Sequence, residues 1–306
     1  FSVKIKKFLI PGFIFTIIGL IGLLVILAYN RFDIKKIASE NVEVEESLYD
    51  TNVNLIKCNT KADSIVIKAS ERSDIYVKSK KINNYKYSIT KDDEILNIDC
   101  QYGRWYENVL NIGWMNELGF ANEALFIEVP NDYVFALEVD VKGGNLKLQN
   151  VNLSNVSINI KGGSFTASNI EASELLLNVK GGTANISNSL INKGTFNYDA
   201  TTSNLENLEL EKLELLWNSN NDLDDLKDLK SLKEIGLWRI SKLDNIDFIS
   251  ELINLEIIKL QDLKYITELP DLSGLTKLKK IVLDGTSIKI DAIDEPYKSM
   301  VERYWI

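Results

Sequence analysis

Apolar and polar positions alternate along most of this chain in short runs. Residues 64–68 (Ser-Ile-Val-Ile-Lys), 74–78 (Asp-Ile-Tyr-Val-Lys), 85–89 (Tyr-Lys-Tyr-Ser-Ile), 95–98 (Ile-Leu-Asn-Ile) and 125–129 (Leu-Phe-Ile-Glu-Val) carry β-branched and aromatic residues with a period of two, which predicts strands. Between the last two runs, residues 101–124 set Tyr102, Trp105, Tyr106, Trp114 and Phe120 among Gly and Asn. This reads as an inserted loop whose aromatics form either a lid over the open end of the fold or a contact surface. Further on the alternation becomes periodic: Val-Asp-Val-Lys-Gly-Gly at 139–144, Ile-Asn-Ile-Lys-Gly-Gly at 158–163 and Leu-Asn-Val-Lys-Gly-Gly at 177–182 repeat the Lys-Gly-Gly triplet every 19 residues. A fixed period of that size marks a solenoid. Leu146 and Leu148, Phe165 and Ala167, Ala184 and Ile186 fall at equivalent inward positions, and a degenerate fourth unit, Phe-Asn-Tyr-Asp-Ala-Thr, follows at 196–201. The Gly pairs supply the unusual backbone that a coil needs at its corner; they match neither a P-loop or dinucleotide spacing nor the calcium-binding nonapeptide.

A second spacing takes over at Leu210. Leu210-x-x-Leu213-x-Leu215, Leu232-x-x-Ile235-x-Leu237, Leu255-x-x-Ile258-x-Leu260 and Leu278-x-x-Ile281-x-Leu283 start 22, 23 and 23 residues apart. This pattern resembles the leucine-rich repeat, in which a short strand contributes inward apolar residues and the rest of the unit arches back over the core. It departs from the family in one respect: the position three past the last Leu, commonly Asn, is Asn218 in the first unit but Ile240, Leu263 and Thr286 in the others. The resemblance implies a concave face lined by Lys212, Glu214, Leu216 and Trp217, by Glu234, Gly236, Trp238 and Arg239, by Ile257, Lys259, Gln261 and Asp262, and by Lys280, Val282, Asp284 and Gly285. Trp217, Glu234, Trp238, Arg239, Lys259 and Asp262 are the candidate partner-binding residues, because aromatic residues beside an arginine are the usual carriers of interface energy. The alternative for the two tryptophans is packing on each other or on neighbouring loops. The acidic run at 220–225 lacks the Gly and the terminal Glu of a calcium loop and reads as a capped start of the helical side of the unit.

The N-terminal stretch follows neither period. Residues 8–29 contain no charge, and 22 residues at about 1.5 Å each span the roughly 30 Å of bilayer hydrocarbon, so a single transmembrane helix is expected. Lys4, Lys6 and Lys7 precede it and Arg31, Lys35 and Lys36 follow, which nearly ties the positive-inside count. The N-terminus is read as inside and the bulk of the chain as outside. The expected organisation is a tail and transmembrane helix over 1–30, an acidic stalk over 31–50, a β-solenoid over 51–205, leucine-rich repeats over 206–290 and a cap over 291–306. The fold class is thus mainly β: an N-terminal transmembrane helix, a parallel β-solenoid with 19-residue coils, then a leucine-rich repeat α/β solenoid.

Composition narrows the function. The 306 residues are 45% hydrophobic and 26% charged, the balance of a chain that folds. A net charge of −9 without a basic cluster argues against a nucleic-acid partner. The absence of His removes triads and His-based acid catalysis, and two cysteines, Cys58 and Cys100, do not complete a zinc shell. Spacing alone leaves open whether those two pair. No cofactor, metal or catalytic residue is expected. The strand alternation, the Phe-Ile-Glu-Val-Pro at 126–130 and the repeated glycines resemble the putative-adhesin β-solenoid domains of bacterial cell-envelope proteins over about residues 50–205. That resemblance implies an envelope-located binding or scaffold module with no established catalytic residues; with the transmembrane helix expected over residues 8–29, the protein is read as anchored in the cell membrane, its partner a protein or a cell-envelope polymer. The alternative is an accessory or sensor subunit of a membrane transporter or signalling system.

Overall fold

The computed structural model describes residues 16–17, 19–21, 28–29, 42–60, 64–82, 85–102, 124–216 and 222–303. Its strands are β1 (Val42–Tyr49), β2 (Leu55–Thr60), β3 (Ile65–Ser70), β4 (Ile75–Ile82), β5 (Tyr85–Asp92), β6 (Ile95–Tyr102), β7 (Leu125–Pro130), β8 (Val134–Val141), β9 (Gly144–Gln149), β10 (Asn152–Ile160), β11 (Gly163–Ser168), β12 (Glu171–Leu216), β13 (Glu234–Trp238), β14 (Ile257–Gln261), β15 (Lys280–Asp284) and β16 (Val301–Glu302). All sixteen belong to one curled sheet, in the order β10-β8-β2-β6-β5-β4-β7-β3-β9-β11-β12-β13-β14-β15-β16, with β1 added to β4.

The 19-residue phrase is one coil of this sheet. Val139, Ile158 and Leu177 pair in parallel register on β8, β10 and β12, and Leu146, Phe165 and Ala184 do the same on β9, β11 and β12. A coil upstream, invisible as a repeat, joins the same stack: Cys58 on β2 pairs with Val139, and Ile65 on β3 with Leu146. Period-two alternation turns every second residue inward, so Phe135, Leu137, Val139 and Val141 are buried on β8 while their neighbours are not. The coils close on each other by burying these rows, and non-polar area removed from water stabilises the stack by roughly 25 cal/mol per Å². At one corner of each coil sits an asparagine with positive φ: Asn150 (55°), Asn169 (52°), Asn188 (49°) and Asn207 (48°). Asn is among the few side chains that enter this region readily. Asn169 Nδ2 donates to Asn150 Oδ1 at 3.0 Å and Asn207 Nδ2 to Asn188 Oδ1 at 3.1 Å, so the corners are also tied along the stack.

Three parts of the expected fold class are corrected. The sheet is not a parallel solenoid from its start: β1 pairs antiparallel with β4, β4 with β5 and β7, and β5 with β6. For β5 and β6 the cause is local: Asp93 adopts φ 51° in the tight turn that folds one strand back on the other. Second, the C-terminal repeats form no α/β solenoid. Their strands continue the same sheet, with Leu213, Ile235, Ile258 and Ile281 in register, and their return segments contain the 3-10 turns Asp224–Asp228 and Asp247–Glu251 rather than α-helix. The reason is the spacing of the buried residues. Leu223, Leu226, Leu229 and Leu232 recur every third residue, as do Ile246, Ile249, Leu252 and Leu255. Each accepts from the next, for instance Leu226 N–H to Leu223 O at 3.0 Å and Leu252 N–H to Ile249 O at 3.1 Å. A three-residue period aligns side chains on a 3-10 ribbon, whereas an α-helix would rotate them off the core. Third, no helix among the described residues is long and apolar enough to cross a membrane. Within residues 8–29 only Thr16, Ile17, Gly19, Leu20, Ile21, Ala28 and Tyr29 are described, and they are helical. The remainder of that stretch lies outside the described residues.

Candidate partner-binding face

The outward positions of β12–β15 build a half-buried polar surface. One row runs Lys212, Glu234, Ile257, Lys280; the next runs Glu214, Gly236, Lys259, Val282; a third runs Leu216, Trp238, Gln261, Asp284. Because neighbouring strands lie about 4.8 Å apart, side chains on adjacent strands meet directly. Glu234 is the centre of an ion cluster: Lys212 Nζ lies 3.0 Å from its Oε1, and Lys259 Nζ forms an ion pair with the same oxygen. Lys212 also reaches Glu214 at 3.3 Å. Burial pushes the Glu234 carboxyl up, but the hydrogen bonds from Lys259 and Lys212 and their charges outweigh it and hold the group below its ordinary value. For Lys212 the balance is similar, with desolvation opposing and Glu234 and Glu214 winning, so its ammonium is held above the ordinary value.

Trp238 lies beside this cluster. Its Nε1 is 3.4 Å from where a Cβ on Gly236 would stand, so the indole folds back along its own strand into space that a glycine leaves open. The ring is half-buried. Arg239 and Asp262 sit one step further, at the corner that ends each strand. Both have φ 52°, and Arg239 Nε donates to Asp262 Oδ2 at 2.8 Å. The corner series continues to Gly285 (φ 60°), so 239, 262 and 285 play in the 23-residue coils the part that the four asparagines play in the 19-residue coils.

Of the residues singled out from sequence, the structure therefore brings Glu234 and Lys259 into one cluster and Arg239 and Asp262 into one pair, with Trp238 on the strand between. Trp217 lies outside the described residues. Cys58 and Cys100, on the paired strands β2 and β6, are not joined in a disulfide; burial, reinforced by Asp99, pushes the Cys58 thiol up to about 12, which keeps it protonated and inert. Among the described residues, no group of three or more Cys, Asp or Glu is placed to hold a metal ion.

Two open grooves were not legible from sequence. One, of about 520 Å³, crosses β2, β8, β10 and β12 and is lined by Leu55, Ala136, Asn155, Ser157, Leu176 and Thr195, among others. A bulge accompanies it: the register of β10 on β8 slips between Leu153 and Val156, and such extra residues bend a strand and open its surface. The second, of about 310 Å³, lies where the two periods meet, between Leu190, Glu209, Ser231, Lys233 and Asn254. Ser231 Oγ there accepts from Leu210 N–H at 2.8 Å and donates to Leu210 O at 3.1 Å, satisfying the strand where the coil length changes. A slip in a repeat's length is the only sequence trace such features leave.

Comparison with known proteins bears mainly on the first two-thirds of this architecture. The model of the family described as Toastrack DUF4097 matches residues 53–228, which takes in every strand from β2 to β12. Among solved structures, the chain is similar to a putative cell adhesion protein from Clostridium sporogenes ATCC 15579, at 11% identity and a TM-score of 0.30, over 57% of this chain and 99% of that one. No curated protein matches the chain.

Proposed function

The chain belongs to the Toastrack DUF4097 family, and from that premise we propose that it is a non-catalytic binding and scaffold module of the bacterial cell envelope. In this reading the sheet is the scaffold, and the outward face of β12–β15 recognises a macromolecular partner outside the cytoplasm. The observation that carries it is the Glu234 cluster beside Trp238 and Arg239. Its charges are fixed by ion pairs to Lys212 and Lys259, its indole is seated over Gly236, Glu234 and Trp238 stand on a paired strand rather than on a loop, and Arg239 is tied to Asp262 at the corner that follows. Contact residues held in this way lose little freedom on binding, and Trp and Arg are the side chains that most often dominate an interface. No reaction chemistry is required of the site.

Two measurements test this. The W238A and R239A variants are expected to melt within a few degrees of the parent, since neither residue belongs to the core, while capture of the partner from envelope extracts falls at least tenfold. Undiminished capture by both variants would remove this face from the reading. For location, a C-terminal epitope tag should be lost to protease on intact cells; protection until lysis would place the module on the cytoplasmic side and overturn the envelope role.

A further inference from the structure

A second surface, along the corner that follows β8, β10 and the first segment of β12, carries a different chemistry. Lys142, Lys161 and Lys180 each follow the last residue of a paired strand segment, since Val141, Ile160 and Val179 are in register. The three ammonium groups are exposed and stand one strand spacing apart along one corner of the stack. Most lysines on the strands are neutralised, as Lys57 is by Glu138 at 2.9 Å, Lys68 by Glu128 at 3.1 Å and Lys193 by Glu174 at 3.5 Å. Among the described residues, none of Lys142, Lys161 and Lys180 has such a partner. Like charges set opposite one another on neighbouring strands are destabilising, and in a chain of net charge −9 the fold nevertheless stacks three of them.

What surrounds the ladder shapes what could neutralise it. Two residues before each lysine, on the same face, stand Asp140, Asn159 and Asn178. The acidic group occurs only in the first coil, where Asp140 Oδ2 accepts from Asn159 Nδ2 at 2.9 Å. In the coil after Lys180 the equivalent position is Asp199, which ends the run of positive charge. On the other side each lysine is followed by two glycines. A Cβ at Gly162 would meet only the Lys142 carbonyl, at 3.8 Å, and one at Gly181 would meet nothing within 4 Å. At Gly162 and Gly181 the ladder thus borders backbone with no side chain within 4 Å of where a Cβ would stand, and Asp140, Asn159 and Asn178 flank its other edge.

We propose that this corner binds a linear acidic polysaccharide running along the stack, with its carboxylates against Lys142, Lys161 and Lys180. One sugar ring advances a polymer by a length close to one strand spacing, about 4.8 Å, so rings keep step with coils, and the carboxylates on the side of the chain that faces the corner meet its lysines. Ammonium groups suit single-point contact with a carboxylate. The bare backbone at Gly162 and Gly181 leaves the approach beside the lysines open, and Asn159 and Asn178 offer hydrogen bonds to sugar hydroxyls. The proposal names a polymer class for the envelope role above and rests on that role, but it uses a surface distinct from the Trp238 face.

The test is binding of the full chain to polygalacturonate, its fully methyl-esterified form and inorganic polyphosphate, at low and at physiological salt. The expected result is binding of polygalacturonate that weakens with salt, no binding of the esterified polymer, and at least a tenfold loss in K142Q/K161Q/K180Q with unchanged melting. A control that removes the same charge elsewhere, K227Q/K230Q/K298Q, should bind as the parent does. Equal loss in that control would reduce the effect to net charge and overturn the site. Preference for polyphosphate over polygalacturonate would overturn the carboxylate assignment, and undiminished binding by the ladder variant would overturn the location. The W238A variant separates the two surfaces: it should retain polygalacturonate binding, so failure of the ladder leaves the other face's test standing.

Discussion

Gly163 occupies a position that no other residue can fill. Its φ is 128°, and a Cβ there would overlap the carbonyl oxygen of Gly144 on the coil beside it, so both backbone strain and a backbone clash oppose any side chain. G163A is expected to cost at least about 3 kcal/mol, among the largest effects of a single substitution, whereas G162A, one residue away with open space around it, should change stability by well under 1 kcal/mol. Paired urea melts of the two variants check this, and equal effects would mean that the coils do not stack this closely. At Asn169, positive φ and the bond to Asn150 act together. N169G keeps the conformation and N169A loses both, so the alanine variant should be the less stable by about 1 kcal/mol. Glu234 gives a pH signature. Its folded value is lowered, so its contribution is fully present above the ordinary value of 4.5 and is lost as pH falls through the folded value. The stability difference between the parent and E234Q should therefore be largest near neutral pH and shrink below pH 4.5; a difference that grew on acidification would reverse the assignment.

At the scale of single elements, the return segments of the C-terminal coils are started in the same way each time. Asp224 N–H donates to Asp222 Oδ1 at 2.9 Å, Asp247 N–H to Asn245 Oδ1 at 2.6 Å and Ser273 N–H to Asp271 Oδ1 at 2.9 Å. These Asx turns fix the direction in which the chain leaves the strand, and at Asp271 the bonds from Ser273 hold the carboxyl below its ordinary value. D271A is expected to lose about 1 kcal/mol and D271N to lose less, because an amide oxygen can still accept; denaturant melts distinguish them. Much of this was legible in the chain. The 19-residue triplet became the register of Gly144 with Gly163 and Gly182, and the 22–23-residue spacing became the register of Leu213 with Ile235, Ile258 and Ile281. The α-helical return was misread because the likeness to a repeat family outweighed the direct signal, Leu at 223, 226, 229 and 232, whose period of three specifies a 3-10 ribbon. The stretch from β1 to β6, which holds most of the antiparallel pairs, has no repeat, so alternation located β3 to β6 but not β1 or β2, nor any of their partners. The lysine ladder shares the period of the glycines beside it, yet a charged residue's neighbours one coil away are invisible until register is known.

For the molecule as a whole, the decisive element is β12. Its first segment pairs with β10, a middle segment with β11 and its last residues, Lys212 to Leu216, with β13, so the change from 19-residue to 23-residue coils takes place within one stretch of continuous pairing that turns corners at Asn188 and Asn207. In a stack where each coil touches only its neighbours, stability is nearly the sum of unit and interface terms, and the weakest interface decides whether the array melts as one body. Here that interface is not thinned. Leu210, Leu213 and Leu215 are buried between the last 19-residue coil and the first of the longer ones, and Ser231 bonds both backbone groups of Leu210 where the register would otherwise leave them open. Hydrogen exchange read by mass spectrometry should accordingly show residues 152–187 and 234–284 losing protection together in a single cooperative opening. L213A, which removes a fully buried side chain at the junction, is expected to cost about 2–5 kcal/mol and to uncouple the halves, so that 234–284 exchanges first. Independent opening in the parent chain would instead make the junction the weakest interface already, and the sheet a continuous surface built on two separately stable halves.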